Sequence, residues 1–151
     1  MRVSANWLKE LSGLSNDVSI ELMAEKLTMA GLEVEAIEDQ AQGLGNVVVG
    51  HVVEKHQHPK ADKLTLCVVD VGEAAPVRIV CGAPNHQEND WVVVARPGAV
   101  LPNGLAIKPT EIRGEESAGM LCSEAELGIS ESHEGIIILP EGHGYTAGTA
   151  A

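Results

Sequence analysis

The sequence contains very few aromatic residues. Among its 151 residues there is no Phe, and the aromatic side chains are those of Trp7, Trp91 and Tyr145. The core must therefore be built from Val, Ile, Leu, Met and Ala, and the Val-Val and Ile-Ile runs favour β-strands. Because 44% of the residues are apolar, the chain can bury a sizeable core, which excludes a disordered chain.

Positive charge is also scarce. Ten Lys and Arg residues stand against 22 Asp and Glu residues, which gives a formal net charge of −12. A molecule with this charge repels nucleic acids and anionic membranes as a whole. Any contact with RNA must therefore rest on a local basic patch, and we expect neither a membrane nor DNA as a partner.

Cysteine usage and apolar runs indicate the compartment. The three cysteines, Cys67, Cys81 and Cys122, are an odd number without the spacing of a disulfide framework, which indicates a reducing environment. No apolar run is long enough for a signal peptide or a membrane span. We therefore expect a soluble cytoplasmic protein.

Motifs of catalysis and of metal binding are missing as well. The sequence has no Gly-rich phosphate loop before a Lys-Ser/Thr pair, no HExxH and no GxSxG. His51, His56 and His58 lie near Cys67, but zinc sites usually contain paired ligands such as CxxC, and these cysteines do not pair. Buried thiols and surface imidazoles are the simpler interpretation. We expect no catalytic residue and no metal site.

The first 39 residues predict a small α/β unit. Ser and Asn residues precede apolar residues at helical spacing, and a glycine follows each such run. The stretch LEVEAI alternates apolar and acidic residues, which is typical of a half-exposed strand. The predicted elements are strands at 2–4 and 32–37, a helix from Ser4 or Asn6 to Gly13, a helix from Ser19 to Gly31, and a linker at 39–46.

From Val47 onward the pattern changes to all-β. Short β-branched segments are separated by Gly or Pro, and this spacing predicts a small barrel rather than βαβ units. A short helix at 123–127 and a last strand at 136–139 follow, and the tail after Gly144 is typical of a chain that continues. The five predicted barrel strands are 47–54, 64–71, 77–81, 91–96 and 106–112.

The local basic patch lies between the first two of these strands, in residues 55–63, which we call the basic loop. Lys55, Lys60 and Lys63 are three of the seven Lys and Arg residues after residue 40, and Pro59 between them cannot continue a strand. Lysine is a flexible point charge suited to phosphate contact. An ordinary solvated hairpin loop has the same composition, so composition supports both interpretations equally.

A second polar group lies in IRGEESAGMLCSEAELG, residues 112–128. Arg113 can reach a phosphate, and Ser117 and Ser123 supply hydroxyl groups between glycines that permit close backbone approach. The alternative is a Gly-bracketed turn that plugs the barrel end. Asn85 and Arg96 are further candidates on loops, with turn stabilisation and surface charge as their alternatives.

Five motifs in order resemble the tRNA-binding domain shared by several aminoacyl-tRNA synthetases and by the endothelial-monocyte-activating polypeptide. They are EKHQHPKADKL, LCVVDVG, RIVCGAPN, VARPGAVLP and IRGEESAGMLCSEAELG. In order and spacing, the resemblance covers about residues 40–151. The resemblance implies an OB-fold barrel with added helices that binds tRNA. It assigns this contact to Lys60, Lys63, Asn85, Arg113, Ser117 and Ser123.

The first residues are similar to a narrower family. VSANWLKEL followed by LTMAGLEVE resembles the start of the bacterial phenylalanyl-tRNA synthetase beta subunit. The resemblance implies the N-terminal fragment of a subunit from an α2β2 ligase that uses ATP and magnesium. Residues 1–39 would be the first half of a split α/β domain, and residues 40–151 the OB-fold domain. Aminoacylation would lie in the alpha subunit and editing further along beta, with no cofactor in this fragment.

The missing half of the split domain leads to one more expectation. Trp7, Leu11, Ile20 and Leu27 would normally be covered by downstream chain. In this chain we expect them to be exposed or to be buried in a self-association contact.

We therefore predict a mainly β chain, a five-stranded OB-fold barrel after an incomplete α/β half-domain, that serves as an auxiliary tRNA-binding module in translation. Acidity and the lack of stacking aromatics leave two alternatives open. One is a scaffold that packs against other synthetase domains with little RNA contact, and the other is a free-standing tRNA-binding chaperone of the same barrel family. The candidate RNA-binding residues are Lys55, His58, Lys60, Lys63, Asn85, Arg96, Arg113, Ser117 and Ser123.

Overall fold

A computed structural model describes residues 1–39 and 44–151 of the chain. The chain forms two compact units, Met1–Gln40 and Ala41–Ala151. The linker predicted at 39–46 includes residues 40–43, which lie outside the described residues. The assignment of the first unit as half of a split domain stays a prediction.

The first unit consists of two α-helices. Helix α1 (Ala5–Ser12) begins after Ser4, whose hydroxyl accepts a hydrogen bond from the first turn, and ends at Gly13 in the left-handed conformation. Helix α2 (Ile20–Met29) begins in the same way after Ser19. Both predicted helices are confirmed. Neither of them, nor any other helix in the described residues, is long and apolar enough to cross a membrane.

The two strands predicted in this unit are wrong. The segments 2–4 and 32–37 are irregular, and residues 1–39 contain no strand. A strand needs a neighbour to complete its backbone hydrogen bonds, and this unit supplies none within its described residues. Leu32, which alternation places on an apolar face, is 65% exposed. Alternation in LEVEAI was therefore not sufficient to form a strand.

The second unit is a nearly closed antiparallel barrel, which confirms the predicted mainly β, OB-like architecture. Its strands are β1 (Val47–Gln57), β2 (Thr65–Asp70), β3 (Val77–Cys81), β4 (Trp91–Ala95), β5 (Thr110–Ile112), β6 (Glu115–Ser117), β7 (Met120–Leu121) and β8 (Ile138–Leu139). The barrel strands pair in the order β3-β2-β1-β4-β7, while β8 pairs with β4, and β5 and β6 form a separate hairpin.

Strand β1 is long enough to serve two neighbours. Its first part pairs with β4, and its residues from His51 onward pair with β2. The pairing with β2 shifts register between Val52 and Glu54, which marks a bulge. A Cβ on Gly50 would lie 2.5 Å from the side chain of Val94. The bulge and the glycine let β1 bend from one pairing to the other, and this bend closes the barrel.

Two aliphatic clusters lie on the two faces of the sheet. One contains Val52, Val69 and Ile79, and the other contains Val93 and Leu101. These side chains are almost entirely buried, and the clusters contain no aromatic residue. The aliphatic core expected from the missing Phe is therefore confirmed.

The last residues of the chain add to the edge of β1. Val49 donates its N–H to the carbonyl of Thr149 and accepts a hydrogen bond from the N–H of Gly148. A Cβ on Gly72 would lie 2.7 Å from the Gly148 Cα, so the two glycines permit a close approach of two backbones. Small residues in the tail thus make the contact possible.

Two predicted elements after β4 are corrected. The helix expected at 123–127 is a series of hydrogen-bonded turns, because Gly128 follows in the left-handed conformation and the segment is too short to propagate. The strand expected at 106–112 is reduced to β5, because Pro109 has no N–H to donate.

Candidate nucleic-acid interface

His58 holds the basic loop against the β5–β6 hairpin. Its Nδ1 accepts a hydrogen bond from the backbone N–H of Lys60 at 3.0 Å, and its Nε2 lies 3.0 Å from the carbonyl oxygen of Ile112. Since a carbonyl can only accept, Nε2 carries the proton and the ring is neutral in this arrangement. The side chain is buried, so the interpretation of His58 as a surface imidazole is wrong. His58 positions the loop.

This contact brings Lys60 and Arg113 close together, although they are far apart in sequence. Arg113 and Gly114 form the turn between β5 and β6, with φ angles of 55° and 88°, as in a type I′ turn. A Cβ on Gly114 would lie 2.8 Å from the Lys60 Nζ. Both cationic side chains are exposed. The basic loop and the hairpin turn therefore present one cationic edge, formed by Lys60 and Arg113.

Lys55 and Lys63 line a small cleft of about 460 Å³ beside the same loop. Lys63 is exposed, whereas Lys55 is half-buried and its Nζ donates a hydrogen bond to the backbone carbonyl of His86. The Lys55 charge is therefore held at the cleft wall, while the Lys63 ammonium can move toward a ligand.

Within the described residues, Lys60, Lys63 and Arg113 form no ion pair. In the described part of the chain the ion pairs are Arg2–Glu38, His56–Glu54 and Arg96–Glu73. None of them involves Lys60, Lys63 or Arg113. These charges therefore remain available for an anionic partner.

The two serine candidates have structural contacts. The Ser117 hydroxyl accepts a hydrogen bond from the Val80 N–H and donates one to the Gly119 carbonyl, each at 3.0 Å. The N–H and the hydroxyl of Ser123 donate to the Glu126 carboxylate at 2.6 and 2.8 Å. Both serines are buried. They fix the barrel closure and the turn after β7, and RNA contact by either stays an untested prediction.

Asn85 and Arg96 are also engaged within the protein. The Asn85 amide donates to the Ile136 carbonyl at 2.9 Å and accepts from the Ile136 N–H at 3.0 Å, as a strand neighbour would. Arg96 lies 3.6 Å from the Glu73 carboxylate. The Asn85 bonds join two segments that are 51 residues apart in sequence, so they do not represent the expected stabilisation of a local turn. Contact of Asn85 and Arg96 with RNA stays a prediction.

The three cysteines are buried, as expected, and they are not part of this interface. Desolvation by burial raises the pKa of Cys67 to about 11 and that of Cys122 to about 12, and it also raises the pKa of Cys81. Cys67 Sγ lies 3.1 Å from the Nε2 of fully buried His86, whose pKa is lowered by desolvation and then by the Lys55 charge. In the described residues no group of His, Cys, Asp or Glu could hold a metal ion.

Sequence reasoning missed Gln57, which orders the basic loop. Its Nε2 lies 3.0–3.1 Å from the backbone carbonyls of Ala61, Asp62 and Leu64. Sequence reasoning also missed Lys108, an exposed cation on a larger neighbouring cleft. A polar residue at the end of a strand was a usable signal for Gln57. No local signal marks Lys108, because its neighbours come from distant segments.

Comparisons with known proteins identify the family of this chain. Residues 47–149 match the family model described as "Putative tRNA binding domain". The phenylalanine–tRNA ligase beta subunit of Synechococcus elongatus is 52% identical over 98% of this chain, that of Fusobacterium nucleatum 55% over 93%, and that of Bacillus subtilis 49% over 93%. The chain spans 18%, 17% and 18% of the lengths of these relatives.

Two solved structures share the fold. A MetRS-related protein from Pyrococcus horikoshii aligns with a TM-score of 0.53 and 22% identity, covering 77% of this chain and 98% of that protein. The C-terminal domain of Plasmodium vivax p43 aligns with a TM-score of 0.50 and 27% identity, covering 68% of this chain and 56% of that one. Because the family model matches residues 47–149, the chain belongs to the tRNA-binding domain family, and it is similar over nearly its whole length to phenylalanine–tRNA ligase beta subunits, as its motifs predict.

Proposed function

We propose that this chain is an auxiliary tRNA-binding module of a phenylalanine–tRNA ligase beta subunit and acts in translation. The observation that carries the proposal is the His58 contact, which joins the basic loop to the β5–β6 hairpin and places Lys60 beside the Arg113–Gly114 turn. In an OB-fold, the loops between strands 1 and 2 and between strands 4 and 5 flank the surface that binds oligonucleotides. The basic loop joins β1 to β2, and the β5–β6 hairpin lies in the connection between β4 and β7, which are the fourth and fifth barrel strands in chain order.

Binding in this proposal is electrostatic and depends on shape. Lys60, Lys63 and Arg113 contact phosphates or ribose, and little sequence is read, because lysine is a point charge without the geometry for base recognition. His58 and Gln57 hold the loop in place before RNA arrives, which lowers the entropy lost on binding. With only a few phosphates neutralised, binding by an acidic chain is weak.

The rest of the ligase supplies the chemistry in this proposal. Aminoacylation with ATP and magnesium belongs to the alpha subunit of an α2β2 assembly, and editing belongs to other beta-subunit segments, in the cytoplasm. The support is similarity to beta subunits of which this chain spans less than a fifth. The first unit would be half of a split domain, and Trp7 and Leu11, which are 60% and 70% exposed, are consistent with a missing cover.

A scaffold function is the second candidate. The net charge of −12 and the exposed apolar side chains of the first unit favour contacts with protein over contacts with RNA. The free-standing chaperone is less well supported, because the similarity to beta subunits extends through the first unit. A direct binding experiment separates the RNA-binding and scaffold functions.

The test is binding of fluorescent tRNA specific for phenylalanine to the 151-residue chain, read by anisotropy. We expect Lys60→Glu/Lys63→Glu to weaken binding about 50-fold at 0.1 M salt, as loss of two phosphate contacts predicts. The matched control is Arg2→Glu/Lys26→Glu, which makes the same change of net charge in the first unit. Equal weakening by both double variants, or no binding by the unmodified chain at low salt, would favour the scaffold function.

A further inference from the structure

A second cleft shares lining residues with the one beside the basic loop. It has a volume of about 730 Å³ and lies between the end of β3 and the segments 105–112 and 133–136. Residues 82–84 line both this cleft and the smaller cleft of Lys55 and Lys63. The two clefts therefore border the same segment, and we call them together the 82–84 groove.

The walls of the larger cleft combine apolar surface with a few polar groups. Ile107, Ile112 and Met120 contribute apolar surface, and Lys108 and Thr110 contribute exposed polar side chains. Small-molecule sites combine apolar walls with a few polar groups that fix the orientation of the ligand. A nucleobase suits such walls, because its faces are apolar and its edges are polar.

The charges along the groove favour a polyanion. Lys55, Lys63 and Lys108 line it, whereas the carboxylates that line it are those of Asp62 and Glu126. The Glu126 carboxylate accepts two hydrogen bonds from Ser123, which partly satisfies its charge within the protein. Cations thus outnumber acids along this groove, in a chain where acids outnumber cations by 22 to 10.

The segment that borders both clefts has small side chains. Residues 82–84 are Gly, Ala and Pro, and a Cβ on Gly82 would meet one neighbouring atom, Leu64 Cδ2 at 3.4 Å. A sugar–phosphate backbone can therefore approach this segment closely. The bases of a duplex are stacked and paired and cannot enter a side cleft, whereas an unpaired strand can place a base there.

We propose that the 82–84 groove holds a single-stranded segment of tRNA. Its backbone crosses residues 82–84, Lys63 and Lys108 contact phosphates on either side, and one unstacked nucleotide occupies the larger cleft beside Thr110. This inference rests on the proposed function and specifies the form of RNA recognised, which is unpaired rather than duplex.

Two variants outside the basic loop test the groove. We expect Lys108→Glu to weaken binding of the fluorescent tRNA about tenfold at 0.1 M salt and to reduce the salt slope by about 1, as loss of one phosphate contact predicts. Thr110→Trp fills the cleft without a change of charge, and we expect it to weaken binding because the base can no longer enter the cleft. The matched controls are Lys26→Glu and Thr146→Trp, at exposed positions outside the groove, which should bind like the unmodified chain.

A competition experiment tests the form of the RNA. We compare an unlabelled single-stranded oligoribonucleotide of about eight nucleotides with a stable blunt RNA duplex, both expressed as total phosphate concentration. The single strand should displace the tRNA from the unmodified chain at the lower concentration. The single strand should lose this advantage against Thr110→Trp. Circular dichroism establishes that each variant is folded, and Lys108→Glu, at an exposed site, keeps the test valid if Thr110→Trp does not fold.

The contrary outcomes are distinct. If Lys108→Glu and Thr110→Trp bind like their controls, or if the duplex competes as well as the single strand, the groove inference is overturned. If Lys60→Glu/Lys63→Glu still weakens binding in that case, the proposed function stands without it. If that double variant binds normally as well, both proposals fail.

Discussion

The two units of this chain bury their apolar side chains to very different degrees. In the barrel, Val52 and Ile79 are completely buried, and successive side chains along the strands point alternately into two buried clusters. In residues 1–39, Met23 is the one buried hydrophobic side chain, while Trp7 is 60% and Met29 75% exposed. The helices of the first unit are nevertheless capped at their starts by Ser hydroxyl groups.

The difference shows that the residues that define the ends of a helix are distinct from the long-range contacts that bury its apolar face. Caps and helical spacing define where a helix begins and ends, but the stability of a short helix comes mainly from packing of its apolar face. The barrel supplies that packing from strands that are distant in sequence, together with the tail on β1. The first unit has well-defined helices and little buried surface.

The largest effect is expected where the barrel backbones approach most closely. Gly72 has a φ of 75°, and a Cβ there would lie 2.5 Å from the Ala147 carbonyl oxygen. We expect Gly72→Ala to destabilise the barrel by about 3 kcal/mol, the sum of left-handed strain and overpacking against backbone. Gly142 is the matched control, because its φ of 86° is also left-handed but no atom lies within 4 Å of its Cβ position. Gly142→Ala therefore measures the backbone strain alone. Urea unfolding of both variants should show about 1 kcal/mol for Gly142→Ala, and equal losses would contradict the tail contact.

Ser117 should have the next largest effect. Ser117→Ala leaves the buried N–H of Val80 without its partner, which costs about 1–3 kcal/mol. The hydroxyl of exposed Ser130 donates to the Glu124 carboxylate and accepts from the Ser132 N–H, and water can replace both partners. Ser130→Ala should therefore change stability by less than about 0.5 kcal/mol. Urea unfolding monitored by circular dichroism measures both changes. A loss for Ser117→Ala no larger than that of the control would show that this bond does not hold β3 to β6.

The buried ionisable groups of the barrel give it a defined pH dependence. The pKa of Cys67, raised by burial from 9.0 to about 11, means that the unfolded chain loses its proton first, so stability falls as the pH rises above 9. The lowered pKa of His86 means that the unfolded chain gains a proton first, so stability also falls as the pH drops below 6.5. The urea midpoint should therefore rise from pH 5, stay constant between about pH 6.5 and pH 9, and fall again toward pH 11. A constant midpoint would contradict the burial of these groups.

The smallest effect is spectroscopic. Trp7 is 60% exposed, whereas Trp91 is half-buried, with its ring centroid 4.6 Å from that of His51. We expect acrylamide to quench the fluorescence of Trp7, measured in Trp91→Phe, more strongly than that of Trp91, measured in Trp7→Phe. Equal quenching in a dilute monomer would indicate that the first unit covers its apolar face, which would remove the contrast between the two units.

The sequence predicted the elements whose signals are local. The helix caps at Ser4 and Ser19 and the first four predicted barrel strands agree with the structure, because each depends on residues near one another in the chain. The strand expected at 32–37 failed because alternation describes one strand and not its partner. The helix expected at 123–127 failed because the segment is too short to propagate before Gly128, which takes the left-handed conformation.

The candidate site was predicted in composition but not in arrangement. Lys60 and Arg113 were both identified, yet their proximity depends on the buried His58 bond to Ile112, which no local pattern encodes. His58 itself was misread, because an imidazole among lysines in a loop suggests exposure. Ser117 illustrates the same limit, since its contacts with Val80 and Gly119 arise only when the barrel closes.

The salt dependence of tRNA binding tests the central claim most directly. If the cationic edge and its neighbours neutralise about three to five phosphates, a plot of log affinity against log salt should have a slope of about −2 to −4.5. Anisotropy titrations of the unmodified chain from low to physiological salt measure this slope. A slope in that range, made shallower by Lys60→Glu/Lys63→Glu, is the result predicted for a small phosphate-binding surface. Absence of binding at the lowest salt, or a slope that the double variant leaves unchanged, would contradict it.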